Sequence, residues 1–295
     1  MINNDKINSY KEYLAKINEY ETYIKLISDP DNRAANTLVV SGDPGIGKTY
    51  RAEKILSEHS KCPFIILNGR ITAVKLYQTM WENHDAVIVL DDVNSIIQDK
   101  KDGASLLKAA TESKRIRQVS WSARNPDCIP VNKYNCPTNL KIAQRMDDLV
   151  RTSNNKRLER AHEAKNTFPS MFYFTGALII LTNKSLYTVD KATEGALSNR
   201  GNHMEIMFSI EGAIDFIKTF GPSMTKFNGV KMKAKTIKET IKFLTSEKAM
   251  QYYARTRKRP TLRNLGKLEG LYQSGMKLDL NILANNTECA FEDNA

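Results

Sequence analysis

The stretch Val39-Val40-Ser41-Gly42-Asp43-Pro44-Gly45-Ile46-Gly47-Lys48-Thr49 decides the reading of this chain. An apolar run leads into glycine, four residues and Gly-Lys-Thr, and an Ala/Glu/Lys/Leu-rich helical pattern begins near Tyr50. This spelling, G-x-x-x-x-G-K-[ST], is that of a phosphate-binding loop. Gly42, Gly45 and Gly47 let the backbone turn its N–H groups inward around a polyphosphate, with Asp43, Pro44, Ile46 and Tyr50 completing the cradle. The following helix points its positive dipole end at the same place. Lys48 supplies a mobile charge for outer phosphates, and the Thr49 hydroxyl a ligand for Mg²⁺. The expected cofactors are therefore ATP and Mg²⁺.

Outward from the loop, Cys62 to Asn68 reads as a short strand and Thr72 to Asn83 as a helix. Ala86-Val87-Ile88-Val89-Leu90-Asp91-Asp92 is a continuous apolar run ending in two carboxylates. A parallel strand covered on both faces requires such a run, and open α/β sheets place ligands at the carboxyl ends of their strands. Asp91 is expected to hold Mg²⁺ through water and Asp92 to polarise the attacking water. A second apolar strand, Ala177 to Thr182, ends at Asn183. If it neighbours the first, Asn183 lies close enough to Asp91 to orient that water.

Residues Asp5 to Ser28 carry apolar side chains at spacings of three and four, an amphipathic helix ended by Asp29-Pro30. Arg115 to Ser122 alternates like a half-exposed strand. A polar, basic interval at about 124–170 follows, with a helix expected from about Asn139 to Lys165. Arg115, Arg117, Lys141, Arg145, Lys156 and Arg157 are the candidates for nucleic-acid contact. After a last strand, His203 to Phe208, the patterns are helical only. The division is then 1–35 lead-in helix, 36–208 α/β nucleotide-binding domain, 209–284 helical lid, and 285–295 an acidic tail that frays.

The net charge of +11 exceeds what a nucleotide needs and points to a polyanionic partner, DNA first. No apolar run approaches the roughly 18 residues of a membrane span, and the polar start Met1-Ile2-Asn3-Asn4 is no signal peptide, so a cytoplasmic location and no membrane partner are expected. The four cysteines form no C-x-x-C pair and read as free thiols.

The order of phosphate loop, strand ending in acids, strand ending in Asn, Arg200 before a final strand, and helical tail resembles the AAA+ ATPases over roughly Asn36 to Ser274. The resemblance implies a parallel five-stranded sheet with helices on both faces, followed by a small all-helical lid domain. It implies that Asn183 is the sensor-1 residue, that Arg200 is an arginine finger reaching the γ-phosphate of the neighbouring subunit, and that Arg263 is the lid's sensor-2 arginine. By itself Arg200 reads as a solvated charge, and Arg255, Arg257, Lys258 and Arg259 crowd near Arg263, where any could serve. The implied assembly is a homo-oligomer, hexameric or filamentous. Asp91-Asp92, Arg117-Gln118-Val119-Ser120-Trp121 and Phe172-Tyr173-Phe174-Thr175-Gly176 are similar to the small AAA-family ATPases of tailed bacteriophages, which implies DNA replication or recombination in a bacterial host. The family's acidic strand commonly ends Asp-Glu, so Asp92 departs from it by one methylene. A superfamily-3-like helicase, a helicase-loading or protein-remodelling ATPase gripping a replication or recombination protein, and a slow nucleotide-dependent switch are the alternatives.

Overall fold

The structure, a computed structural model, describes residues 6–33, 35–97, 99, 101–121, 128–129, 138–183 and 201–287. Its centre is a five-stranded parallel sheet of β1 (Thr37–Gly42), β2 (Phe64–Asn68), β3 (Val87–Asp91), β8 (Ala177–Thr182) and β9 (Asn202–Ile206). The order across the sheet is β2-β3-β8-β1-β9. The late strand β8 is thus inserted between β1 and β3, with Val39 opposite Ile180 and Asp91 opposite Leu181.

Both faces of the sheet are covered, which explains the unbroken apolar runs. Side chains alternate along each strand, so Val39, Ile88, Leu90, Leu178 and Ile180 enter one core while Leu38, Val40, Val87, Val89, Ile179 and Leu181 enter the other. The second core receives Tyr13, Ile17, Tyr20 and Ile24 of α1 (Tyr10–Ile27) and Ala52, Ile55 and Leu56 of α2 (Lys48–His59). Helix α1 starts where the Ser9 hydroxyl accepts from the Glu12 amide, a standard N-cap, and stops before Asp29-Pro30. The first core receives α3 (Ala73–Glu82), Ile96 of the short α4 (Asn94–Ile97), α5 (Asp102–Ala110) and the antiparallel pair β4 (Arg117–Ser120) and β7 (Met171–Phe174), while β5 (Cys128–Ile129) pairs in parallel with β6 (Phe168–Pro169).

Where a single long helix is expected from Asn139 to Lys165, two stand instead, α6 (Asn139–Arg151) and α7 (Lys156–Glu163). Asn155 breaks the run, because its side chain accepts from the Arg157 and Leu158 amides and caps a new helix. Beyond β9 come α8 (Ile210–Phe220), α9 (Ala234–Leu244), α10 (Glu247–Thr256), α11 (Leu262–Gln273) and α12 (Leu280–Asn286), around a core of their own that includes Ile217, Ile237, Leu244, Tyr253, Leu265 and Leu283. This region is not purely helical. Lys226–Phe227 and Val230–Lys231 (β10, β11) pair as a hairpin through Asn228 and Gly229, both at positive φ (48° and 80°). Asn-Gly is the residue pair that a two-residue hairpin turn of this hand requires.

Arg117 departs most clearly from expectation. It is fully buried, its guanidinium 4.8 Å over the Phe174 ring and donating to the Gly176 and Lys114 carbonyls. It braces the entry to β8 and has no surface to offer a nucleic acid. Burial and the neighbouring Arg33 push its guanidinium down to about 10. Arg115 is exposed, as are Lys141, Lys156 and Arg157, while Arg145 is half-buried.

Candidate nucleotide site

The loop after β1 turns at Gly45 and Gly47, at φ +76° and +89°, which L side chains rarely adopt. Gly42 is needed for a different reason: a Cβ there would run into the Ile206 carbonyl of β9. Gly47 then caps α2 without any side-chain partner, and the amides from Gly45 to Thr49 find no backbone acceptor among the described residues. A partly buried helix end with unsatisfied N–H groups is a place where an anion can be held.

Lys48 is buried in the mouth of this loop. Its Nζ donates to the Gly42 carbonyl at 2.8 Å, the Asp43 carbonyl at 3.0 Å and Asn183 Oδ1 at 2.7 Å. Asn183 in turn donates its Nδ2 to both Asp92 carboxylate oxygens at 2.9 Å. The ammonium can only donate and the carboxylate only accept, so the two partners fix which way the Asn183 amide points. Thr49 Oγ1 donates to Asp91 Oδ2 at 2.8 Å. The strand order is what assembles these groups, since β8 carries Asn183 between the loop after β1 and the acids after β3. Asp92 itself sits at φ +52°, a left-handed conformation uncommon outside glycine that clusters at functional sites.

Burial sets the electrostatics. Desolvation pushes the Lys48 ammonium down to about 8, against the pull of Asp92, Asp43 and Asp91, and with Arg263 adding to the push. Desolvation raises the Asp91 carboxyl, and the Asp92 charge adds to this, while the Thr49 hydrogen bond and Lys48 oppose it. Burial therefore works against charge on both Lys48 and Asp91, and an anion beside the lysine and a cation beside the carboxylate would each offset it.

Arg263, near the start of α11, has its backbone within 3.6 Å of the place a Gly45 Cβ would occupy. Its neighbour Arg259 has another task. Arg259 Nη1 bonds both oxygens of the Asp43 carboxylate at 3.0 Å, and Asp43 also accepts from the Phe208 amide at 2.8 Å. Those two side chains are 7% and 6% exposed, so a buried ion pair staples the glycine loop to the C-terminal helices. Between them, Pro44, Ile46, Phe208, Phe216, Pro260 and Leu262 line a narrow apolar slot beside the loop.

The N-terminal helix also serves the loop. The buried Tyr13 and Tyr20 hydroxyls donate to the Ile46 and Lys48 carbonyls at 2.8 Å and 2.9 Å, and Glu21 pairs with Arg51 of α2 at 2.5 Å. Nothing in the apolar spacing of α1 distinguishes these tyrosines from plain core residues. Tyr50 stands 69% exposed at the start of α2. Arg200 lies outside the described residues, as do Cys136 and Cys289.

Among the described residues no three His, Cys, Asp or Glu side chains cluster as a metal cage. Asp91 with Thr49 offers instead a hard oxygen pair, which suits Mg²⁺ shared with phosphate oxygens rather than caged by protein.

No family model matches the chain. A protein of Enterobacteria phage T4, the uncharacterized 36.7 kDa protein in the nrdC-mobD intergenic region, is 32% identical over 120 residues, or 39% of this chain and 36% of that protein. The chain thus spans about a third of the length of this curated relative. No helix among the described residues is long and apolar enough to cross a membrane.

Proposed function

We propose that this chain is an ATPase of the AAA+ type that acts on DNA. The observation that carries the reading is the convergence of Lys48, Asn183 and Asp92, and of Thr49 and Asp91, at the carboxyl ends of three adjacent parallel strands. The orphaned amides and Lys48 bind the phosphates, and the apolar slot by Phe208 and Leu262 takes the base. Asp92, oriented by Asn183, accepts a proton-bearing hydrogen bond from the attacking water. Mg²⁺ on Thr49 and Asp91 would neutralise charge on the outer phosphates. Arg263 faces the loop from the helical region and senses the bound nucleotide, and the helical region closes the site as a lid. Arg200 of a neighbouring copy completes it, which makes the active species an oligomer. The similarity to a phage protein agrees with a phage-encoded ATPase working in the host cytoplasm.

Phosphate release and binding of a fluorescent ATP analogue test this together. K48A is expected to lose both, whereas D92N keeps binding and loses turnover by about 10²-fold, the size typical of general acid–base groups. Wild-type protein that binds no nucleotide, or D92N that turns over normally, refutes the reading. Mixing K48A with R200A tests the shared site, since recovery of turnover requires subunits that complete one another. A slow switch is the second reading, favoured by the shorter Asp92 and by the hold of Asn183 on both its oxygens. Turnover that duplex DNA does not stimulate would favour it.

A further inference from the structure

The positive charge of the chain is unevenly distributed. Residues 209–287 hold fifteen Lys and Arg against six Asp and Glu, a net of +9 within a chain of +11. The interval 124–170 holds nine against five, a net of +4, and its two helices interleave basic residues with Asp147, Asp148, Glu159 and Glu163.

Within the C-terminal region six exposed lysines lie on α9 and on the hairpin that leads into it. Lys235, Lys238 and Lys242 lie on the exposed side of α9, at positions i, i+3 and i+7, opposite the buried Ile237, Thr240 and Leu244. At about 1.5 Å per residue they form a row about 10 Å long. Lys233, the N-cap residue, is exposed as well, its amide donating to the buried Glu269 carboxylate at 3.2 Å, which also accepts from the Thr236 hydroxyl. Lys226 and Lys231 stand exposed on the β10–β11 hairpin that leads into this helix. They lie directly across from each other in the antiparallel register, although like charges so placed repel. The hairpin is held in place by Phe227, whose ring packs against Gly266 of α11, where even a Cβ would collide with it. No carboxylate among the described residues ion-pairs with any of the six. Glu239, the acid on α9, forms no such pair either.

We infer that this lysine surface binds the phosphate backbone of duplex DNA. The inference rests on the DNA partner named above but not on the ATPase chemistry. Protein interfaces are depleted in lysine and built around aromatic or arginine anchors in an apolar centre, and here the hairpin's ring is packed inward and Val230 is the one large apolar side chain of the hairpin and α9 that is exposed. Single strands are gripped by stacking bases on exposed rings, and no aromatic side chain of the hairpin or α9 is exposed. What it offers is a row of compact point charges, suited to repeated phosphates read without sequence preference. An uncompensated Lys226–Lys231 pair is explained by a polyanion that settles over both.

The test is anisotropy of labelled duplex and single-stranded DNA against salt, with nucleotide binding measured on the same proteins. K235Q/K238Q/K242Q should lower the slope of log affinity against log salt by about 2 to 3, at about 0.9 per lost duplex contact, and leave ATP-analogue binding unchanged. K141Q/R145Q/K156Q/R157Q should leave the slope as it is. The hairpin gives a second reading that needs no triple variant. K231E replaces repulsion by attraction across β10–β11, so it should raise the melting temperature slightly while weakening duplex binding several-fold. A merely structural surface would not move those two in opposite directions. The inference is overturned if the triple variant keeps the wild-type slope, if the interval variant takes the loss instead, if single strands bind more tightly than duplex, or if wild-type protein binds polyglutamate and no DNA. Because nucleotide binding is read separately, wild-type protein that binds the ATP analogue but no duplex DNA overturns this surface and leaves the nucleotide reading standing.

Discussion

Replacing Arg259 with methionine removes the cation that faces the Asp43 carboxylate and leaves that carboxylate with the Phe208 amide as its remaining donor among the described residues. Breaking a buried ion pair from one side costs about 3–5 kcal/mol, because a charge is left desolvated and uncompensated. The surviving amide bond and the position of Asp43 at the edge of the slot put R259M at the lower end, about 3 kcal/mol. A chain of this size loses about 2–4 °C of melting temperature per kcal/mol, so the expected fall is about 6–12 °C. D43N should fall less, because asparagine still accepts from Phe208 and leaves Arg259 facing an amide oxygen. The double variant D43N/R259M should be more stable than the sum of the singles allows, with a coupling of at least about 1.5 kcal/mol. Thermal and urea unfolding of the four proteins read out the cycle. A midpoint shift under about 2 °C for R259M, or strictly additive singles, refutes the reasoning that this pair staples the loop to the C-terminal helices. ATP-analogue binding on the same proteins should weaken with the singles, since the staple also shapes the slot wall.

With Lys48 pushed down to about 8, roughly half of it is neutral at pH 8. Phosphate charge favours the ammonium, so nucleotide binding should take up as much as about half a proton per site at pH 8 and almost none at pH 6. Calorimetry in buffers of different ionisation enthalpy measures this, and proton release at pH 8 would contradict it. R117M should destabilise by about 1–3 kcal/mol through loss of its hydrogen bonds to the Gly176 and Lys114 carbonyls, which keep Arg33 and Asn36 as donors, with DNA affinity unchanged. Weaker DNA binding at full stability would reverse that assignment. Y20F deletes the hydrogen bond to the Lys48 carbonyl and should cost about 1 kcal/mol and loosen nucleotide several-fold; unchanged affinity would reduce α1 to packing alone.

Several features were legible because they depend on neighbours in the chain. The phosphate loop demands glycines at fixed offsets, and apolar runs ending in Asp or Asn report strands buried on both faces. The Asn-Gly turn is equally legible, although the surrounding lysines obscure the short strands. Arg117 was legible in principle. Its alternation with Val119 places both on one face, and β4 packs that face inward. The net charge assigned no position, because a total says nothing about where charge collects.

By itself the sequence determined the loop, the strands of the sheet and the acids and amide at their ends, all consequences of backbone freedom and of a period-two pattern over a few residues. Tertiary structure alone decided that β8 enters between β1 and β3, and so that Asn183 bridges Lys48 to Asp92. It alone paired Arg259 with Asp43, 216 positions away, set two α1 tyrosines against the loop carbonyls, and buried Arg117. The reason is that a charged or polar side chain takes its role from the solvent and partners around it, and those are supplied by segments far along the chain whose placement no local pattern encodes.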